Sequence, residues 1–241
     1  MKTKQHYENH LANFYSWMIG DFEQKQLDFQ SFLKQNRIYP TKSKTAIDLG
    51  AGHGIQSVAL TNLGFTVTAI DFNKKLLDEL KSNSHGQSIE TIQTDICNVK
   101  EFSKLNPELI VCCGDTIAHL DNKEAIEKLI VDCKSALIKN GKLILSFRDY
   151  TNELKNEQRF IPVKSDDERI LTCMLEYETE KVKVTDLLYE KTETGWHQKV
   201  SSYNKVRITT NEIIEFIEKR GMKIVFNETI NRMQTIIAEY K

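Results

Sequence analysis

The spacing of apolar positions changes along the chain, and the changes divide it. Between residues 45 and 149 short apolar runs at Thr45–Leu49, Thr66–Ile70, Ile89–Thr94, Leu109–Cys113 and Lys142–Phe147 predict strands, with stretches of helical period between them. The clearest helix is Asn122–Lys139, where Ile126, Leu129, Ile130, Cys133 and Leu137 share a face. Asp121 stands ready to cap its start, with Glu124 three residues on, and Gly141 follows its end. Strands and helices in this rhythm imply a mostly parallel sheet covered on both faces. Residues 1–44 read as helical, with Leu11, Phe14, Tyr15, Met18 and Phe22 spaced for one face.

The rhythm breaks at 150–208. Arg169–Tyr177, Lys181–Tyr189 and Trp196–Val206 predict three consecutive strands of an inserted antiparallel meander, in which Val182, Val184 and Leu188 share a face interrupted by Asp186. From 209 the first rhythm resumes. Thr209 and Glu212 form a capping box ahead of Ile213, Ile214 and Ile217, and Gly221 stops that helix. "MKIVFNETI" and "MQTIIAEY" then supply two strands whose short connection makes them an antiparallel pair. The domain organisation is therefore an N-terminal helical segment at 1–44, a core at 45–149 and 209–241, and a β insertion at 150–208.

Composition narrows the function classes. The chain of 241 residues is 40% hydrophobic and 28% charged, enough to bury a core, and its net charge of −1 gives no electrostatic footprint for nucleic acid or a membrane surface. No apolar run approaches the roughly 20 residues of a membrane span, and "MKTKQHYENH" lacks a signal-peptide apolar region. Cys97, Cys112, Cys113, Cys133 and Cys173 show no metal spacing and read as reduced thiols of a cytoplasmic protein; no metal is expected.

Candidate chemistry gathers in "AIDLGAGHG" at 46–54, where Gly50, Gly52 and Gly54 sit between a strand and a helix. In an open α/β sheet, ligands bind at the carboxyl ends of strands, and glycine there permits positive φ and close backbone approach. Ile55 stands where a dinucleotide fingerprint needs its last glycine, and no Gly-Lys-Ser/Thr follows. Asp71 ends the second strand, where a carboxylate suits two ribose hydroxyls, and Asp95 follows the third, where it suits an adenine amino group. Asp48, inside the glycine motif, is placed either to orient the loop or to meet an ammonium.

The form D-L-G-A-G-H-G resembles motif I of the class I S-adenosylmethionine-dependent methyltransferases. That resemblance implies a Rossmann-like, seven-stranded α/β sheet of order 3-2-1-4-5-7-6, with S-adenosylmethionine as cofactor. "WMIGDFEQK" at 17–25, "GFTVTAID" at 64–71 and "CCGDTIAHL" at 112–120 are similar to glycine N-methyltransferase and its small-molecule relatives. By that likeness Tyr15, Met18 and Lys25 line the cofactor from the amino-terminal side, with Lys25 on its methionine carboxylate. Ala51, Phe72, Ile96, Cys113, Gly114, Thr116 and His119 complete its surroundings. Arg148, in an "RDY" matching the family's "RNY", would bind the acceptor, with Asp115 beside it. Asp115 stands where the family has asparagine, and Met18 where it has bulkier aromatics. The expected activity is in-line methyl transfer to a nitrogen or oxygen of a small molecule, with the insertion forming part of the acceptor pocket or a contact in a homo-oligomer. The rivals are a nicotinamide-dependent oxidoreductase, a non-catalytic cofactor-binding protein, and a nucleic-acid methyltransferase, which should show a basic surface or an N-P-P-Y or D-P-P-Y motif after the fourth strand where "CCGDTIAHL" stands. His53 is expected to matter through its backbone, Trp17 to be core or cofactor wall, and "KSDDER" at 164–169 to be a solvated turn.

Overall fold

The computed structural model describes residues 3–241, so residues 1 and 2 of the expected amino-terminal segment lie outside the described residues. Strands β1 (Thr45–Leu49), β2 (Thr66–Asp71), β3 (Ile89–Gln93), β4 (Leu109–Cys112) and β5 (Lys142–Phe147) run parallel, and β10 (Met222–Ile230) and β11 (Met233–Tyr240) close the sheet as an antiparallel pair. The order β10-β11-β5-β4-β1-β2-β3 is the expected 3-2-1-4-5-7-6. Asn231 and Arg232, both with positive φ, make the two-residue turn between the last strands.

Alternation along the central strands sorts the core. In β4, Ile110 and Cys112 face helices α6 (Lys123–Ala136) and α7 (Thr210–Lys219), while Leu109, Val111 and the following Cys113 face α3 (Phe22–Gln35) and α4 (Ile55–Asn62). The Thr209–Glu212 capping box forms as expected. At α6 the cap is Asn122, whose side chain accepts from Ala125 N–H, so the expected Asp121 cap sits one residue too early.

The amino-terminal segment is not one helix. α1 (Thr3–Asn9), a 3₁₀ turn at Leu11–Asn13, α2 (Tyr15–Ile19) and α3 follow one another, and Gly20 with Asp21, the α3 cap, breaks the expected stripe before Phe22. The insertion holds four strands rather than three: β6 (Phe160–Ser165), β7 (Arg169–Tyr177), β8 (Lys181–Thr192) and β9 (Gly195–Val206) pair in that order. β6 is an edge strand with Pro162 and an irregular register, which removes the alternation that would reveal it. The inward face of this second sheet carries Leu171, Leu175, Val182, Val184, Leu188 and Tyr203; part of it packs against Leu11 and Phe14 of the amino-terminal segment.

Candidate active site

The carboxyl ends of β1, β2, β4 and β5 open into a cavity of about 1140 Å³, roofed by α1 and α2 and walled on one side by the insertion. Its floor is the glycine turn. The N–H groups of Gly50 and Ala51 both donate to Ile70 carbonyl oxygen, at 2.8 and 3.0 Å, tying the turn to β2. Gly50 has φ +72°, and a Cβ there would lie 2.5 Å from Thr116 Cγ2, so only glycine lets the two loops meet. Gly52, φ +53°, presents its bare Cα to the Tyr15 ring across ordinary contact distance.

Asp71 joins the turn to the next loop. Its Oδ2 accepts from Gly52 N–H at 2.9 Å and its Oδ1 from Asn73 N–H at 2.8 Å. Burial raises its pKa, against those backbone hydrogen bonds. Asp48 is buried behind the turn and accepts from Ser57 hydroxyl at 2.6 Å; burial pushes its carboxyl up to about 7. Of the two readings of Asp48, loop orientation is the one the geometry favours: neither Asp48 nor Gly54 reaches the cavity wall. Gly54 instead packs its backbone against Leu80.

The remaining expected residues come together around this floor. Tyr15, Met18, Lys25, Ala51, Phe72, Ile96, Cys113, Gly114 and Thr116 all line the cavity, as do Asp95, His119, Asp115 and Arg148. Asp95 accepts from Cys97 N–H through Oδ1 and so caps the 3₁₀ stretch Ile96–Leu105. Lys25 forms no ion pair among the described residues. Thr116 hydroxyl donates to Cys113 carbonyl oxygen at 2.7 Å, and Gly114 N–H donates to Ser146 hydroxyl at 3.0 Å, fixing the loop after β4.

An aromatic wall crosses from one side of the cavity to the other. Phe72 meets Tyr7 edge-on at 5.3 Å, Tyr7 meets His119 edge-on at 5.6 Å, and His119 stacks on Tyr203 at 5.4 Å. Burial, helped by nearby Lys205, drives His119 down to about 3, so its ring is neutral at physiological pH, and its Nδ1 is buried without a protein partner. Burial, with Asp71 nearby, pushes the Tyr15 hydroxyl up to about 12. His53 is more than a spacer: its ring is edge-on to both Tyr15 and Phe22, and burial lowers its pKa to about 4.

At the far end, the expected Arg148 and Asp115 are joined by Lys205 and Tyr150, which no motif in the sequence marks. Lys205, on β9, places its ammonium 2.5 Å from Asp115 Oδ2 and 3.0 Å from Tyr150 hydroxyl, and that hydroxyl donates to Asp115 Oδ2 at 2.6 Å. Arg148 N–H donates to Asp115 Oδ1 at 2.9 Å. Burial opposes charge on Lys205, but Asp115 and the neighbouring tyrosines outweigh it and hold its pKa well above the usual lysine range. Burial likewise opposes charge on Asp115, yet Lys205 and His119 bring its pKa below the usual range. The one sequence signal was strand period: Lys205 pairs with Val182, Tyr203 with Val184 and Ser201 with Asp186, so all six share the inward face.

Two residues, His6 and Trp17, fasten the roof to the insertion. His6 is fully buried; its Nδ1 lies 2.7 Å from Ser201 hydroxyl, and its Nε2 is 3.2 Å from Asp186 Oδ2 but off the hydrogen-bonding direction. Trp17 Nε1 donates to Asp166, and Lys164 ammonium donates to Trp17 carbonyl oxygen at 2.6 Å. The turn expected to be merely solvated therefore clasps the amino-terminal segment.

Residues 47–145 match the family model described as a methyltransferase domain. A glycine/sarcosine N-methyltransferase of Aphanothece halophytica is 24% identical over 156 residues, 62% of this chain and 58% of that protein. The corresponding enzyme of Halorhodospira halochloris is 30% identical over 106 residues, 43% of this chain and 40% of its own length. A ubiquinone biosynthesis O-methyltransferase of Coxiella burnetii is 26% identical over 106 residues, 44% of each chain. The matched stretch thus spans about half the length of these relatives. Among solved structures, an S-adenosylmethionine-dependent methyltransferase from Clostridium acetobutylicum superposes with TM-score 0.75 at 17% identity, covering 97% of this chain and 98% of that one. An amino pentose methyltransferase from Micromonospora echinaspora, solved with its cofactor bound, gives 0.74 at 11% identity, covering 92% of each. No helix among the described residues is long and apolar enough to cross a membrane.

Proposed function

Because this chain carries a class I S-adenosylmethionine-dependent methyltransferase domain, we propose that it methylates a nitrogen or oxygen of a small-molecule acceptor inside the roofed cavity. The observation that carries this reading is the juxtaposition, on one cavity, of the glycine turn with Asp71 at one end and the Arg148–Lys205–Asp115 cluster at the other.

The residues present fit the cofactor. Gly50 lets the turn close against Thr116, a Cβ at Gly52 would take up the space beneath the Tyr15 ring, and buried His119 Nδ1 lacks a partner. Asp71 would take the ribose hydroxyls, Asp95 the adenine amino group and Lys25 the methionine carboxylate, with Tyr15 and Met18 above. The cofactor supplies an already activated methyl group on a sulfonium. The chain has then to align the acceptor, exclude water and receive a proton where the acceptor carries one. Tyr7, on the cavity wall, offers an aromatic ring to a cation. Neither His119, whose ring is driven down to about 3, nor Asp115, held ionised with three donors on it, is suited to take the acceptor's proton near pH 7. The roof of α1 and α2 limits the acceptor to a small molecule, and the protein is read as cytoplasmic.

The test is incubation with methyl-labelled cofactor and a panel of amines, amino acids and phenols. Label transferred to one acceptor class supports the reading; cofactor bound with no turnover on any class would favour a binding protein instead.

A further inference from the structure

Two buried charges at the acceptor end are not explained by fold stability. Lys205 and Asp115 are 6% and 2% exposed. A buried ion pair is often no more stable than an apolar pair of the same volume, so its presence on a cavity wall points to use. Hydrogen bonding separates the two partners. Asp115 accepts from Arg148 N–H on one oxygen and from Tyr150 hydroxyl and Lys205 on the other. That carboxylate is satisfied within the protein. An ammonium has three N–H groups. Those of Lys205 go to Asp115 and to Tyr150 hydroxyl, and the third has no protein acceptor among the described residues. Arg148 lines the same wall, with no carboxylate at ion-pair distance among the described residues. Asp186, another acid lining the cavity, accepts from the Cys173 thiol at 3.1 Å and lies 3.2 Å from His6 Nε2.

Resting on the methyltransferase reading, we infer that Lys205 determines acceptor specificity. Its free N–H and the Arg148 guanidinium together hold a carboxylate of the acceptor, while Asp115 is the counter-ion of Lys205 and does not touch the acceptor. Arg148 supplies a planar fork and Lys205 a compact charge, so a carboxylate is gripped on both oxygens. The inserted sheet thereby acts in acceptor choice through a single side chain delivered to the core.

The test uses the full chain saturated with S-adenosylhomocysteine, with acetate as probe and acetamide as its neutral isostere. Acetate should bind at least tenfold more tightly than acetamide. Lys205→Met should weaken acetate at least tenfold and leave S-adenosylhomocysteine affinity within about twofold. That variant strands the buried Asp115 charge, so Asp115→Asn/Lys205→Met is measured beside it; it removes both charges and should lose acetate equally. A folded double variant that keeps wild-type acetate affinity would overturn the inference. So would a wild-type complex that binds acetate and acetamide equally, or neither. A wild type that binds no S-adenosylhomocysteine would instead overturn the methyltransferase reading, and the inference with it.

Discussion

Asp71→Asn separates the cofactor's needs from those of the fold. In the free protein both oxygens of Asp71 already accept a backbone N–H, from Gly52 at 2.9 Å and Asn73 at 2.8 Å, in a side chain only 6% exposed. Replacement by alanine would orphan both donors, at about 1–3 kcal/mol each, and would confound binding with folding. Asparagine keeps the shape and one acceptor, so stability should fall by about 1.5–3 kcal/mol, one charge-assisted hydrogen bond. The ribose hydroxyls lose their charged partner as well, worth another roughly 1.5–3 kcal/mol, or about 10- to 150-fold in Kd. Calorimetric titration with S-adenosylhomocysteine, run beside thermal unfolding, reads both quantities. The 2′-deoxy ligand should lose a comparable factor on the wild type and little on the variant. A folded Asp71→Asn protein with Kd within twofold of wild type would refute the assignment.

Three further outcomes follow from the geometry. Asp48 titrates at about 7 in the fold against an ordinary value near 3.8, so its burial penalty grows as pH rises from about 4 and is complete above 7, at up to about 1.4 kcal/mol per unit. Asp48→Asn should therefore gain stability over wild type between pH 5 and pH 8 in urea melts, and a pH-independent difference would contradict the burial. Trp17→Phe removes the donor to Asp166 and should speed hydrogen exchange in Thr3–Ile19 and S-adenosylhomocysteine release, with little change in the core. Arg148→Lys should raise the acceptor KM at unchanged cofactor affinity; equal loss of both ligands would mark the residue as structural.

Local chemistry made the sheet and its glycine turn legible. Gly50, Gly52 and Asp71 lie within one strand–helix–strand unit, so motif and period speak together. The Lys205–Asp115 pair spans 90 residues and the His6–Ser201 contact spans 195, so no local motif joins either pair. Both depend on how the insertion docks, which is decided by burial of its inward face rather than by neighbouring residues. Strand β6 escaped for a different reason: Pro162 and an exposed edge leave no period of two. Trp17 drew notice as an aromatic, but its partner Asp166 lies in a turn that charge alone marks as solvated.

The central claim is tested most directly by the crystal structure of the complex with S-adenosylhomocysteine. The account predicts the ligand under Tyr15 and over Gly50–Gly52, its ribose hydroxyls on Asp71, and its sulfur turned toward the wall that holds Arg148 and Lys205. A ligand bound elsewhere, or bound there with its sulfur turned away from that wall, would contradict it.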